Sequence, residues 1–339
     1  MTSEVFFRNA PAVEDGLVAA RVTSVNRTNL ELATPAGPCF GELTGRLRFT
    51  SEPEELPVAG DWVAVRKVDD FAMVTAVLDR RTVLRRRRPG SDADGQLLAA
   101  NVDTAFVVHG CNLPMHPARL ERFASLVRGG GVTPVIVLSK ADLLEDPAAA
   151  RESVSHIGEV VLSAALHGSV SDIEALLEPG KTYVLLGPSG AGKTTLLNAL
   201  LGHQVFATGE VRAVDGKGRH TTSRRELIEL ESGAVIIDTP GVRELGMTDS
   251  AEGISDTFDE VEALAERCRF RDCSHQGEAG CAVEEAVDRG DLPRRVLESY
   301  LKLQREAERF TLSVAEKRRK DRAQGKLYKS IIHGKKDRR

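Results

Sequence analysis

Gly187, Pro188, Ser189, Gly190, Ala191, Gly192, Lys193 and Thr194 carry the spacing G-x-x-x-x-G-K-[ST]. Glycines at these intervals let successive backbone N–H groups close around phosphate oxygens, and a helix opening at the lysine adds the positive end of its dipole. In that arrangement Lys193 reaches the β- and γ-phosphates, the Thr194 hydroxyl holds Mg²⁺, and Thr195 extends the binding turn. The motif needs a strand before it and a helix after it, and KTYVLL and TTLLNALLG supply both patterns. The loop by itself does not choose between GTP and ATP.

Asp238-Thr-Pro-Gly241 closes the apolar run AVIID, 45 residues beyond Lys193 (238 − 193). An aspartate there can enter the Mg²⁺ shell, and the Gly241 N–H can meet the γ-phosphate. The polar stretch GRHTTSRRE between them reads as a switch loop, with Thr222, in preference to Thr221, giving the second Mg²⁺ hydroxyl. Upstream, VIVLSKADLL puts Ser139, Lys140 and Asp142 at a strand end, similar to the N/T-K-x-D guanine motif. A carboxylate at Asp142 accepts two hydrogen bonds from guanine N1 and N2, a pattern adenine lacks. Ser139 stands where Asn or Thr is usual, which predicts a less firmly braced loop. Ser163 and Ala164, closing EVVL, resemble the S-A-x element whose backbone N–H reads guanine O6.

Cys268-x4-Cys273-x-His275-x5-Cys281 gathers three thiols and an imidazole within 14 residues. That donor set suits one tetrahedral, structural Zn²⁺ with no position left for substrate. The polar sequence between the cysteines could not form a core, which argues against plain burial. Cys39 and Cys111 stand apart and read as small buried side chains.

These groups need elements to carry them. Residues 15 to 85 hold five short strand patterns, as in a small barrel of the OB type; periodicity alone leaves an SH3-like barrel open. RRRRPGSDADGQ reads as a mobile basic linker. From Asn101, strand and helix patterns alternate, which implies a sheet with helices on both faces. ELIEL and AVIID form a hairpin pattern, and beyond about Ser250 only helix and the Cys/His loop remain. The expected domains are 1–98 for the barrel and linker, 99–250 for the nucleotide domain and 251–339 for a helical zinc domain with a basic tail.

The 339-residue chain is 41% hydrophobic and has no apolar run near the roughly 20 residues of a membrane helix, so a cytoplasmic protein with no membrane partner is expected. The net charge of −4 excludes wholesale coating by nucleic acid. It conceals two basic stretches, Arg80 to Arg88 and Lys317 to Arg339, which would suit an anionic partner. Aromatics make up only 4%, favouring backbone over base-stacking contact.

The order of the motifs is the most specific feature. In ordinary GTPases the phosphate loop comes first; here the guanine elements at 139–164 precede it. The chain thus resembles a circularly permuted α/β P-loop GTPase. With a barrel before and a Cys/His cluster after, it is similar to the RsgA (YjeQ) family of small-ribosomal-subunit-dependent GTPases. QLLAANVD (96–103), GRHTT (218–222), DTPGVRELG and CRFRDCSH…GCAV carry that resemblance. It implies GTP hydrolysis with Mg²⁺, a structural zinc, binding to small-subunit rRNA and a role in late subunit maturation; a monomer is expected. Ras-like GTPases place a water-orienting Gln where this chain has Val242, so slow intrinsic hydrolysis is expected. His220 could act instead once a partner orders its loop, or be a plain solvent-exposed histidine. Three rival readings are a P-loop kinase or transporter-type ATPase, an RNA-binding module with a vestigial site, and a GTPase acting on another RNA or a membrane protein.

Overall fold

The computed structural model describes residues 4–26, 29–68, 71–87, 95–165, 170–188, 190–203, 226–238, 254 and 257–308. Strands β1 (Val18–Val25), β2 (Leu30–Thr34), β3 (Gly37–Leu43), β4 (Trp62–Val68) and β5 (Phe71–Val77) close into a barrel in the order β1-β2-β3-β5-β4-β1. The pair β3–β5 is parallel, and helix α1 (Gly45–Thr50) joins β3 to β4. This order resolves the alternative left open by periodicity in favour of the OB type. Alternation along each strand turns Ala20, Val22, Leu32, Val63, Val65 and Val74 inward, where they fill the barrel.

The hairpin β6 (Val83–Arg87) and β7 (Gly95–Ala100) follows. This corrects the linker reading at both its ends: Arg85 to Arg87 and Gln96 are paired strand residues. Arg80 is also less available than its sequence context suggests. Its guanidinium grips Asp61 with two 2.8 Å bonds and donates to the carbonyls of Glu54 and Leu56. A two-pronged ion pair with a fully buried carboxylate holds structure; losing one partner would cost about 3–5 kcal/mol.

The second half builds a sheet from β8 (Thr104–Gly110), β9 (Thr133–Ser139), β10 (Glu159–Ser163), β11 (Thr182–Leu186), β12 (Glu226–Glu229) and β13 (Val235–Asp238). Its order is β10-β9-β8-β11-β13-β12, parallel except for the edge strand β12, which pairs antiparallel with β13 as the hairpin pattern predicts. The strands ending in Ser139 and Ser163 lie on one side of β11 and the Asp238 strand on the other, although β11 is fourth of the six in chain order. Both faces are covered, so these strands are apolar throughout rather than alternating. Phe106, Val108, Tyr183 and Leu185 face α4 (Ser171–Glu174) and α5 (Lys193–Leu200). Val107, Val184 and Leu186 face α2 (Pro117–Gly129) and the C-terminal helices. One bridge, Ser24 to Glu226, joins barrel and sheet edge to edge.

The C-terminal helices α6 (Asp259–Ala265), α7 (Ala282–Arg289) and α8 (294–308) pack on α2. Three polar links fasten them: Arg122 to Glu306 at 2.6 Å, Arg128 to the Thr257 hydroxyl at 2.8 Å, and Arg295 to the buried Glu121 at 3.4 Å. Glu121 also meets His156 at 2.8 Å. Among the described residues no helix is long and apolar enough to cross a membrane.

Candidate functional site

In a parallel sheet the loops after the strands gather at the carboxyl edge, where ligands of such folds bind. Ser139 pairs with Gly110 on one side and Ser163 on the other, so the ends of β8, β9 and β10 stand level. Beside them β11 runs into the glycine loop. Gly187, Gly190 and Gly192 all adopt positive φ (136°, 79° and 90°), a conformation that costs a side-chain-bearing residue energy. Gly187 has a second reason to be glycine, since a Cβ there would lie 2.2 Å from the Val108 carbonyl oxygen. The loop therefore lies against the neighbouring strand, and α5 opens at Lys193 with its N–H groups facing the loop's concavity.

Lys193 Nζ donates to the carbonyls of Gly187 and Pro188 at 2.8 Å each. The ammonium that would bind phosphate thus rests on the loop itself. Thr194 is exposed on the first turn of α5 and Thr195 is half-buried behind it. The loop is braced from the end of β9. The Ser139 hydroxyl is hydrogen-bonded to the Ala191 carbonyl, and Lys140 Nζ donates to the Gly190 carbonyl at 3.1 Å. The serine in place of Asn or Thr is therefore itself a direct tie between the two motifs. Lys140 takes a left-handed turn (φ 57°) that starts the short 3₁₀ segment Ala141–Leu143 and leaves Asp142 exposed. Ser163 is buried and Ala164 half-buried at the end of β10.

Sequence reasoning missed the neighbours of this edge. The half-buried Cys111 thiol is pushed up to about 11, by burial first and by the Asp142 carboxylate second, so it is protonated at neutral pH and fits the bland reading given to it. His109 is buried at the end of β8, where burial holds its imidazole below the usual histidine range. No spacing signal marks either residue, because the proximity comes from the β8–β9 register. Phe40 and Phe71 pair side by side across β3 and β5 and are both exposed, as is Phe49 on α1. Low aromatic content thus still leaves stacking surface on the barrel. Ser189, His220, Thr221, Thr222, Gly241, Val242, the Asp238 side chain, Arg88 and the tail from Lys317 lie outside the described residues.

The sequence-predicted metal ligands do come together. The ligand atoms of Cys268, Cys273, His275 and Cys281 lie within 4.8 Å of one another. His275 Nδ1 is 3.6 Å from Cys268 Sγ and 3.5 Å from Cys281 Sγ, and the two sulfurs are 4.0 Å apart. Zinc bond lengths of about 2.3 Å to sulfur and 2.0 Å to nitrogen give tetrahedral edges of roughly 3.8 Å between sulfurs and 3.5 Å between sulfur and nitrogen, so the cluster fits the ion. Cys281 also caps α7, its sulfur accepting from the Glu284 N–H at 3.4 Å. Glu278 orders the intervening loop by accepting from the Ser274 hydroxyl, the Gln276 N–H and the Ser274 N–H; these bonds hold its carboxyl down at about 2.

A family model described as RsgA GTPase matches residues 77–248. A second model, described as ABC transporter, matches residues 170–330, a stretch that includes the phosphate loop. A Streptomyces avermitilis protein named small ribosomal subunit biogenesis GTPase RsgA is 43% identical, the match covering 89% of this chain and 82% of the relative. A Streptomyces coelicolor protein of the same name is 41% identical over 96% and 92% of the two chains. The crystal structure of YjeQ from Thermotoga maritima matches with a TM-score of 0.64 at 23% identity, covering 86% of this chain and 98% of that one. YloQ, described as a circularly permuted GTPase, matches with a TM-score of 0.63 at 24% identity, covering 88% and 98%. These two structural likenesses are of fold.

Proposed function

This chain belongs to the RsgA GTPase family, and from that premise we propose that it hydrolyses GTP, binds the small ribosomal subunit during its late maturation and leaves on hydrolysis. The observation that carries the reading is the tie between phosphate loop and guanine motif at one sheet edge: Ser139 on Ala191 and Lys140 on Gly190. An ATPase has no use for Asp142 at that position.

Each residue then has a role. Asp142 accepts from the guanine base, with the Ala164 backbone donating to O6 and Lys140 bracing the loop. Glycines 187, 190 and 192 let the N–H groups of Ser189 to Thr195 converge on the phosphates. Lys193 exchanges its loop carbonyls for the β- and γ-phosphates, a swap of neutral acceptors for charged ones that favours nucleotide. Thr194, Thr222 and Asp238 would hold Mg²⁺, which neutralises charge between those phosphates. Gly241 would meet the γ-phosphate. Val242 cannot orient the attacking water, so hydrolysis waits for a partner to set the switch loop, with His220 the group we assign to the water.

Cys268, Cys273, His275 and Cys281 would hold one structural Zn²⁺, and the helical domain they organise docks on α2. The relatives' names support the small subunit as partner; the exposed phenylalanines of the OB barrel and the arginines of β6 support contact with its RNA. A soluble, cytoplasmic location accords with such a partner. Co-sedimentation tests this directly. With a non-hydrolysable GTP analogue the protein should pellet with small subunits, and with GDP it should stay in the supernatant. Equal recovery in both would refute release on hydrolysis.

A further inference from the structure

Arg21 lies on β1 of the barrel yet is only 3% exposed. Its Nη2 donates to the Thr182 hydroxyl at 2.6 Å and to the Asn101 carbonyl at 3.4 Å, and its Nε donates to the Gly60 carbonyl at 3.4 Å. The guanidinium also lies over the rings of Phe6 and Trp62, with centroids 5.5 and 5.2 Å away. Burial pulls the group down to about 10, with Asp103 and Asp61 opposing, so it stays charged at neutral pH.

Its partners come from elements that otherwise belong to different parts of the molecule. Thr182 starts β11, five residues before Gly187 (187 − 182). Asn101 ends QLLAAN in a left-handed turn (φ 55°), donates to the Gly60 carbonyl and accepts from the Arg81 N–H. Asp103 exchanges bonds with Thr182: the Asp103 N–H meets the Thr182 carbonyl, and Asp103 Oδ2 accepts from the Thr182 N–H, at 2.8 Å each. Gly60 must approach this closely, for a Cβ would meet the Ala100 carbonyl at 2.2 Å. The stretch 96–103, which no nucleotide role absorbs, is thus part of a joint.

We propose that Arg21, with Thr182 and Asn101, is a positioning device that fixes the barrel rigidly to the phosphate-loop strand, so that a partner held by the barrel is registered against the nucleotide. The partner half of this inference rests on the proposed function above. A buried cation gives directional bonds that apolar packing would not, and removing one acceptor leaves a buried donor unpaired.

Thr182→Val keeps the shape and removes the acceptor, while Thr182→Ser keeps the hydroxyl. Distances between labels introduced at exposed Arg48 and Glu152 report the joint without any partner. The wild type and Thr182→Ser should give one narrow distribution and Thr182→Val a broad one. Basal GTP turnover should be alike in all three, whereas the ratio of subunit-stimulated to basal kcat should fall at least about fivefold in Thr182→Val and recover in Thr182→Ser. A narrow distribution in Thr182→Val, or a broad one with the stimulation ratio intact, would overturn the proposal. If wild-type turnover ignores small subunits, the partner reading fails, and the positioning role falls with it; the distance distribution still decides the joint.

Discussion

Asp142→Asn is expected to weaken GTP binding by about 100- to 1000-fold and to create binding of xanthosine triphosphate. The carboxylate is exposed on the turn after β9, so its contribution comes only when a base arrives and excludes water. Two hydrogen bonds from guanine N1 and N2 to a charged acceptor are worth about 3–4 kcal/mol together, and each 1.4 kcal/mol is tenfold in affinity. An amide keeps one acceptor and turns the other toward donation, which suits the carbonyl that xanthine carries in place of the guanine amine. Ser139 and Lys140 are untouched, so the phosphate loop keeps its braces. Titration of the variant with fluorescent guanosine, xanthosine and adenosine nucleotides checks this. Unaltered GTP affinity would remove Asp142 from the base site.

The second large effect is expected at the metal. If the cluster holds the proposed Zn²⁺, Cys281→Ser should lose it and unfold the segment from 268 to 289, because Cys281 would be ligand and is also helix cap and core residue. A structural zinc in a short loop is worth on the order of 10 kcal/mol. Whole domains are stable by only about 5–15 kcal/mol, so the loop and α7 cannot hold without the ion. The links from Glu306, Thr257 and Arg295 to α2 then loosen. GTP binding should persist, since α2 lies on the opposite sheet face from α5. Metal analysis should read one zinc per wild-type chain and none in the variant, with an early thermal transition in the variant alone. A variant that kept its zinc and melted with the wild type would refute the structural role.

Much of this was legible because local patterns coincide with strands and loops. The runs DTAFVVHG and TPVIVLS are apolar throughout because helices cover both sheet faces, and the glycine loop sits where a strand meets a helix. The Cys/His cluster was legible because its four residues fall within 14 positions. Pairings between distant segments were not. The parallel β3–β5 pair that identifies the barrel joins Phe40 to Phe71 across an intervening helix and strand, and no turn residue announces it. The partners of two cations were illegible for the same reason. Arg80 reads in sequence as part of a basic stretch and Arg21 carries no signal, yet Asp61, Thr182 and the barrel's aromatic rings receive them only after the barrel has closed. The bond from Ser139 to the Ala191 carbonyl, 52 residues away, likewise has no signal in the sequence.

A GTPase that waits for the small ribosomal subunit reveals itself in GTP turnover, measured for the protein alone and with purified small subunits, large subunits or free ribosomal RNA. Slow turnover alone, raised steeply by small subunits and little by the other two, is the predicted result. Equal turnover with and without small subunits would contradict it.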